Sequence, residues 1–282
     1  MLPYYRPLVQ SQARFIAYVT LLSPSGAIPD KIYSPLLFIR ASQAGFVTSS
    51  LLAGSSLSAE DLELRFHSVV IKPSSTVRDL GVWLDCELTM HDHILRTSST
   101  CFCHLRKLRQ LRGVVSQIAM QRLMSAFVLS RLDCCNAALA GLPSYSLAPL
   151  QRVLYAAVRL VTGHGPRDHI AGTMMELHWL PIEHRIKFKL CMIMHAAVSV
   201  QCPDYIRGAI TPLARLPGRN RLRAAAHGLY DVPRTRTMFG QRAFSVAGPR
   251  QWNDLPSDIR KTTDRAAFKR ALKSHFLTRL WC

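Results

Sequence analysis

The chain sets an acid, two thiols and an amide side by side at Asp133-Cys134-Cys135-Asn136, inside the apolar run VLSRLDCCNAALAGLP. Those residue types could supply a nucleophile, a metal ligand or a general acid. Nothing around them completes such a set: the chain has no G-x-S-x-G elbow, no catalytic-cysteine signature, no Walker-type phosphate loop and no G-x-G-x-x-G turn. Read as helix, the run points the four side chains around the axis instead of converging them. Asp133 reaches Arg131 only around that helix, so an arginine elsewhere is its expected partner. Asn136 is expected to tie its helix to a neighbour by a buried hydrogen bond. The expected role is packing and helix anchoring, not chemistry.

Other clusters fare no better as sites. Cys101-Phe-Cys-His104, Cys191 with His195 four residues on, and His91 with His93 all lack the C-x₂-C pairs of a zinc site, and are expected in the core. Two-metal phosphoryl or nucleotidyl transfer needs carboxylates that hold divalent ions about 4 Å apart. Here the 17 acids are scattered and Asp-Asp never occurs. Asp85 and Glu87, just past a short strand, read as ordinary strand-end acids. No metal, cofactor or small-molecule substrate is expected.

The charge balance points elsewhere. Lys plus Arg outnumber Asp plus Glu by 36 to 17, a net charge of +19 with a pI near 10.2. Each cation that neutralises a phosphate releases condensed counterions, so a polyanion, nucleic acid first, is the expected partner. The eight cysteines are unevenly spaced, and the adjacent pair is unsuited to bonding with itself, which favours reduced thiols in a nuclear or cytoplasmic protein. The first 29 residues hold Arg6 and Arg14 but no acid, so mitochondrial targeting is the alternative. No membrane association is expected: the apolar stretch Ala41 to Ala59 is diluted by Ser, Thr, Gln and Gly.

The elements that must position these residues are mainly helical. Residues 1–56, broken by prolines, are expected to be a poorly ordered leader. A β-hairpin element is expected near residues 66–85: Val69-Val70-Ile71, a turn at Lys72-Pro73-Ser74-Ser75, then Leu80 to Leu84. Ile94, Ser98, Cys101, Leu105 and Leu108 fall at helical spacing, with a basic side at Arg96, His104, Lys107, Arg109 and Arg112. Ser116 is placed to cap the next helix, which Gly141 and Pro143 are expected to end. Leu150, Val153, Leu154, Ala157 and Val161 give an amphipathic helix stopping at Gly163, with Arg152 and Arg159 on its polar side. A helix is expected over Ile182 to Val198. Arg215 to Arg236 reads as a basic loop, and a last helix carries the stripe Phe268, Leu272, Phe276 behind a cap at Thr263 or Asp264.

Six stretches in order, VVIKPSSTVRDLGVWLD, VLSRLDCCNAALAGLP, LQRVLYAAVRLV, ELHWLPIEHRIKFK, FSVAGPRQWNDLPSDIR and FKRALKSHF, give the chain a resemblance. From about Leu57 to Phe276 it resembles the region C-terminal to the catalytic palm in reverse transcriptases of LINE-class (non-LTR) retrotransposons. Cys134 stands where that family commonly has an aromatic, Tyr155 where it has a small polar residue, and Gly172-Thr173 where it has a proline-containing turn. The resemblance implies that 57–88 is a remnant of the end of the palm, a primer-grip-like hairpin. It makes 89–165 a helical thumb-like bundle and 166–282 a basic, mixed C-terminal extension. The catalytic aspartate box of an RNA-directed DNA polymerase would lie before this region, so no enzyme activity is expected. What the resemblance leaves is sequence-tolerant binding of RNA or an RNA–DNA duplex through Lys107, Arg109 and Arg112, with Arg219, Arg221 and Arg223 in the basic loop. Trp83, Trp179 and Trp252 are expected mostly in the core, an exposed one being able to stack on a base. The alternative is an inert or co-opted protein-interaction module whose charge serves solubility.

Overall fold

The computed structural model describes residues 64–66, 69–71, 74–79, 81–85, 87–218 and 228–281. The expected leader (1–56), Lys72-Pro73 of the expected turn and Arg219, Arg221 and Arg223 fall outside them. The described residues belong to two compact units, one within Ala27–Ser99 and the other within Thr100–Cys282.

The smaller unit corrects the expected hairpin. The strand β2 (Val69–Ile71) does not pair forward; it pairs antiparallel with β1 (Leu64–Phe66). The later strand, β4 (Val82–Asp85), pairs instead with β3 (Thr76–Asp79), with Asp79 opposite Val82. So tight a reversal needs a positive φ, and Gly81 supplies it at +91°. Along β4 the faces alternate: Val82 and Leu84 are buried, Trp83 and Asp85 half-buried. The Asp85 carboxylate then accepts hydrogen bonds from the Thr89 amide (2.7 Å) and hydroxyl (3.0 Å), bracing the entry to α1 (His91–Gln110). This strand-end acid is a loop brace.

The larger unit is helical. Ile94, Ser98, Cys101, Leu105 and Leu108 are all buried, so α1 shows the expected stripe. Ser116 caps α2 (Gln117–Met124), its Oγ accepting from the Ala119 amide at 3.3 Å. The helix then widens to a π segment over Ser125–Leu129 and ends in one α turn, Ser130–Leu132. That is well short of Gly141. After Asp133 the chain turns through Cys135, at φ 53° and ψ 21°, into a 3-10 segment, Asn136–Leu139.

α3 (Ser144–Thr162) buries a broad face from Leu147 to Val161 and stops at Gly163, whose φ of +85° lets its amide donate to the Arg159 carbonyl at 2.8 Å. A short α4 (Ala171–Glu176) packs on it. α5 spans Ile182–Val198, with the bounds expected from the sequence, and is the axis of the unit: α3, the 3-10 segment, α6 (Asp204–Gly208) and two later helices, Phe244–Asn253 and Arg265–Trp281, all pack on it. Between α6 and these later helices, Leu213–Arg215 forms a 3-10 turn and Pro212 bridges Tyr230, which lies within the expected basic loop. α7 (Met238–Arg242) leads into α8 (Phe244–Asn253), which carries Gly248 against α5. A Cβ there would lie 2.8 Å from Phe244 Cε2 and 3.0 Å from Met194 Sδ, so any larger residue would have to displace these side chains. Asn253 holds the Tyr230 backbone twice, accepting from its amide (3.0 Å) and donating to its carbonyl (2.8 Å). After α9 (Ser257–Arg260), Asp264 accepts from the Ala267 amide at 2.6 Å and so caps α10 (Arg265–Trp281). Phe268, Leu272 and Phe276 of α10 are buried, each contributing about 1.5–3 kcal/mol. The chain is thus mainly α with small antiparallel hairpins.

Candidate functional site

Between Asp92 and Asp168 the chain holds ten Lys and Arg residues and a single acid, Asp133. On α1, Arg106, Lys107 and Arg109 are exposed, as is Arg112 beyond its end. They do not converge. At about 100° per residue, Lys107 and Arg109 stand about 160° apart around the axis, on opposite flanks of the solvent side. Arg112 goes elsewhere: its guanidinium lies over Gly163, where a Cβ would collide with Nη2. There it meets the C-terminal end of α3, whose free carbonyls favour a cation.

That end of α3 belongs to a stripe missing from the set expected from the sequence. Tyr145, Arg152, Tyr155 and Arg159 fall within an arc of about 80° on the helix and span about 21 Å along it. Tyr145 is 78% exposed, Tyr155 37%, and Arg152 is also exposed. Arg159 is half-buried and its Nε has no hydrogen-bond partner in the structure. α3 contains no acid, and Arg167 is exposed in the loop beyond it. Two aromatic faces interleaved with guanidinium groups can stack on bases and neutralise the phosphates between them. The arginines were visible in the sequence. The signal that could have added the tyrosines is their spacing from those arginines, three and seven residues, on one helix face.

The acid–thiol turn is built differently from the helix expected for it. Because the helix stops at Asp133, the four side chains are held at a bend. Asp133 does take a distant arginine, as expected: Arg185 of α5 donates from Nε to Oδ1 (2.8 Å) and from Nη2 to Oδ2 (2.6 Å), a two-point clamp between segments 52 residues apart. Asn136 is not the expected tie between helices. Its Nδ2 reaches back to Asp133 Oδ1 at 3.5 Å, and its buried Oδ1 has no partner. The Cys134 and Cys135 sulfurs lie 4.0 Å apart. Lys189, one turn beyond Arg185, acts on Asp133 and both thiols, and its burial lowers its own pKa. The Cys134 thiol is held down to about 6, first by the hydrogen bond with Cys135, then by Lys189 and Arg131, against its own burial and Asp133.

The other clusters do core and turn work. Burial holds His93 near 4, the neutral form. His104 stacks on Phe127, centroids 5.8 Å apart. His195 stacks on Phe268 at 4.2 Å, its Nε2 3.0 Å from the Thr262 carbonyl, while burial pushes the Cys191 thiol up to about 12. Trp179 and Trp252 are buried, the latter donating to the Gly228 carbonyl at 3.3 Å. Trp83 is half-buried beneath the Arg96 guanidinium, 4.0 Å from the ring centroid. Among the described residues no three His, Cys, Asp or Glu side chains gather as a metal site, and no helix is long and apolar enough to cross a membrane. No family model, no curated protein and no solved structure matches the chain.

Proposed function

We propose that the chain is a retrotransposon-derived piece of a LINE-class reverse transcriptase, a thumb-like bundle with a basic extension, that binds RNA or an RNA–DNA duplex through phosphate contacts and has no polymerase activity of its own. The six ordered sequence motifs support the origin. One observation carries the binding: from Thr100 to Arg167, within the larger unit, nine cations face one acid, and Arg185 already claims that acid. That excess of positive charge favours a polyanion as its counterpart. Within this stretch the Tyr145–Arg159 stripe offers the best placed contacts, with Arg112 at one end.

Fluorescence anisotropy with a labelled single-stranded RNA and an RNA–DNA duplex, over a salt series, tests this. Log affinity should fall linearly with log salt, each phosphate contact adding about −0.7 for single strands. Arg152→Ala should shrink that slope by about one contact. Tyr155→Ala should weaken binding roughly 5- to 100-fold at every salt concentration and leave the slope alone. A flat salt dependence would remove the nucleic-acid role. Primer extension by the purified chain with magnesium would overturn the reading as a non-enzyme.

A second reading, a protein-interaction module, has its own observation. Phe102, Leu111, Val114, Ile118 and Phe127 are large apolar side chains left exposed along α1, the bend after it, α2 and the π segment. A flat salt dependence together with self-association reversed by Val114→Asp and Ile118→Asp would favour it.

A further inference from the structure

We propose that Cys134 and Cys135 form a vicinal dithiol that captures uncharged, thiol-seeking electrophiles, trivalent organic arsenicals being the chemical type. The geometry carries this. The helix ends at Asp133, and the left-handed conformation of Cys135 turns the backbone so that neighbouring side chains share one side, sulfurs 4.0 Å apart. Two sulfurs bonded to one tetrahedral centre at about 2.3 Å, as in zinc–thiolate sites, stand about 3.8 Å apart. The pair therefore closes on a single bridging atom with little movement. A disulfide would need the sulfurs at about 2.05 Å.

The surroundings decide which electrophile is taken. Arg185 and Lys189 project from one face of α5 toward this bend, and Arg131 lies one turn before Cys135. Asp133 is the carboxylate acting on the Cys134 thiol, and Arg185 already engages it. Lys189 and Arg131 stabilise the Cys134 thiolate but repel a divalent metal ion. A neutral electrophile meets the thiolate without that repulsion. Cys134 is half-buried and Cys135 is buried beneath it, so the electrophile meets the Cys134 sulfur first and Cys135 closes the bridge from the inner side. In the reaction, R–As=O and two thiols give R–As(S–Cys)₂ and water. Two S–H bonds break, two As–S bonds form, both protons leave with the oxygen, and arsenic stays trivalent. The other close pair, Cys101 and Cys103, stands two residues apart on α1, where side chains do not face each other.

The test treats the full-length chain with phenylarsine oxide, washes with excess 2-mercaptoethanol, and weighs the intact protein. One arsenical per chain should survive the wash, and both Cys134→Ser and Cys135→Ser should lose it while Cys103→Ser keeps it. Should a cysteine variant misfold, Lys189→Gln provides a second measure with both sulfurs present. Alkylation of Cys134 by iodoacetamide near neutral pH, read by peptide mass, should slow several-fold in that variant. Retention of the arsenical by folded Cys134→Ser, an unchanged alkylation rate in Lys189→Gln, or cadmium displacing the arsenical at equal concentration would each overturn the proposal.

Discussion

The Asp133–Arg185 clamp should be lopsided: deleting its acid should cost far more than deleting its base. The Arg185 side chain is 14% exposed and Asp133 is 42% exposed, with the Lys189 ammonium close by. In Asp133→Ala the guanidinium loses two charge-assisted hydrogen bonds where little water can reach it. It also faces Lys189 with no carboxylate between them. Removing one partner of a fully buried pair costs about 3–5 kcal/mol, and partial access of water at the Asp133 end reduces that to about 2–3 kcal/mol. In Arg185→Met the stem packing survives, Asp133 is hydrated on its open side, and Lys189 supplies a counter-charge, so the loss should stay near or below about 1 kcal/mol. Urea unfolding followed by tryptophan fluorescence reads the difference, since Trp179 and Trp252 are buried in the same unit. For a unit of this size the first variant should melt about 4–12 °C lower. Adding Lys189→Met to Asp133→Ala should recover part of the loss. Equal destabilisation by the two single variants, or no recovery in the double variant, would refute the reasoning.

Gly163→Ala should lose about 1–3 kcal/mol in the same assay, because a side chain there needs a left-handed φ and also displaces the Arg112 guanidinium. His93 gives a pH signature. Its folded pKa, near 4, lies below the unfolded value of 6.5, so the unfolded chain binds the proton first. Stability from this group is full above pH 6.5 and falls as the pH drops toward 4, by about 3 kcal/mol over that window. His93→Leu should flatten this part of the stability–pH curve, measured by urea midpoints at half-unit pH steps.

Local signals carried much of this fold. Ser116, Gly163 and Asp264 punctuate helices where their side-chain and backbone chemistry predicts, and the apolar stripes of α1, α3 and α10 lie on the buried side. What failed was pairing over distance and one unusual backbone. The strand Val69–Ile71 is recognisable in sequence, but its partner is not, since Leu64–Phe66 and the later strand are both available extended segments. Only the Gly81 turn decides that β4 closes on Thr76–Asp79. Cys135 adopts a left-handed conformation that cysteine composition does not announce, so the helix appeared to run on to Gly141. The clamp on Asp133 was expected from an arginine, but nothing local singles out Arg185, 52 residues away. The Tyr145–Arg159 stripe was half-legible: charge revealed its arginines, whereas the exposure of its tyrosines depends on what packs against the other side of α3.

The central position of α5 makes completion of the larger unit depend on the order in which the polypeptide leaves the ribosome. α3 and the 3-10 segment emerge beforehand and dock at once, but the surfaces facing α8 and α10 wait for residues made later. Until Phe268 and Phe276 arrive, the flank of α5 around His184 and His195 stays wet, a window in which nascent chains associate wrongly. A stop codon shortly before Arg265 would make that transient permanent, turning an assembly intermediate into the final product.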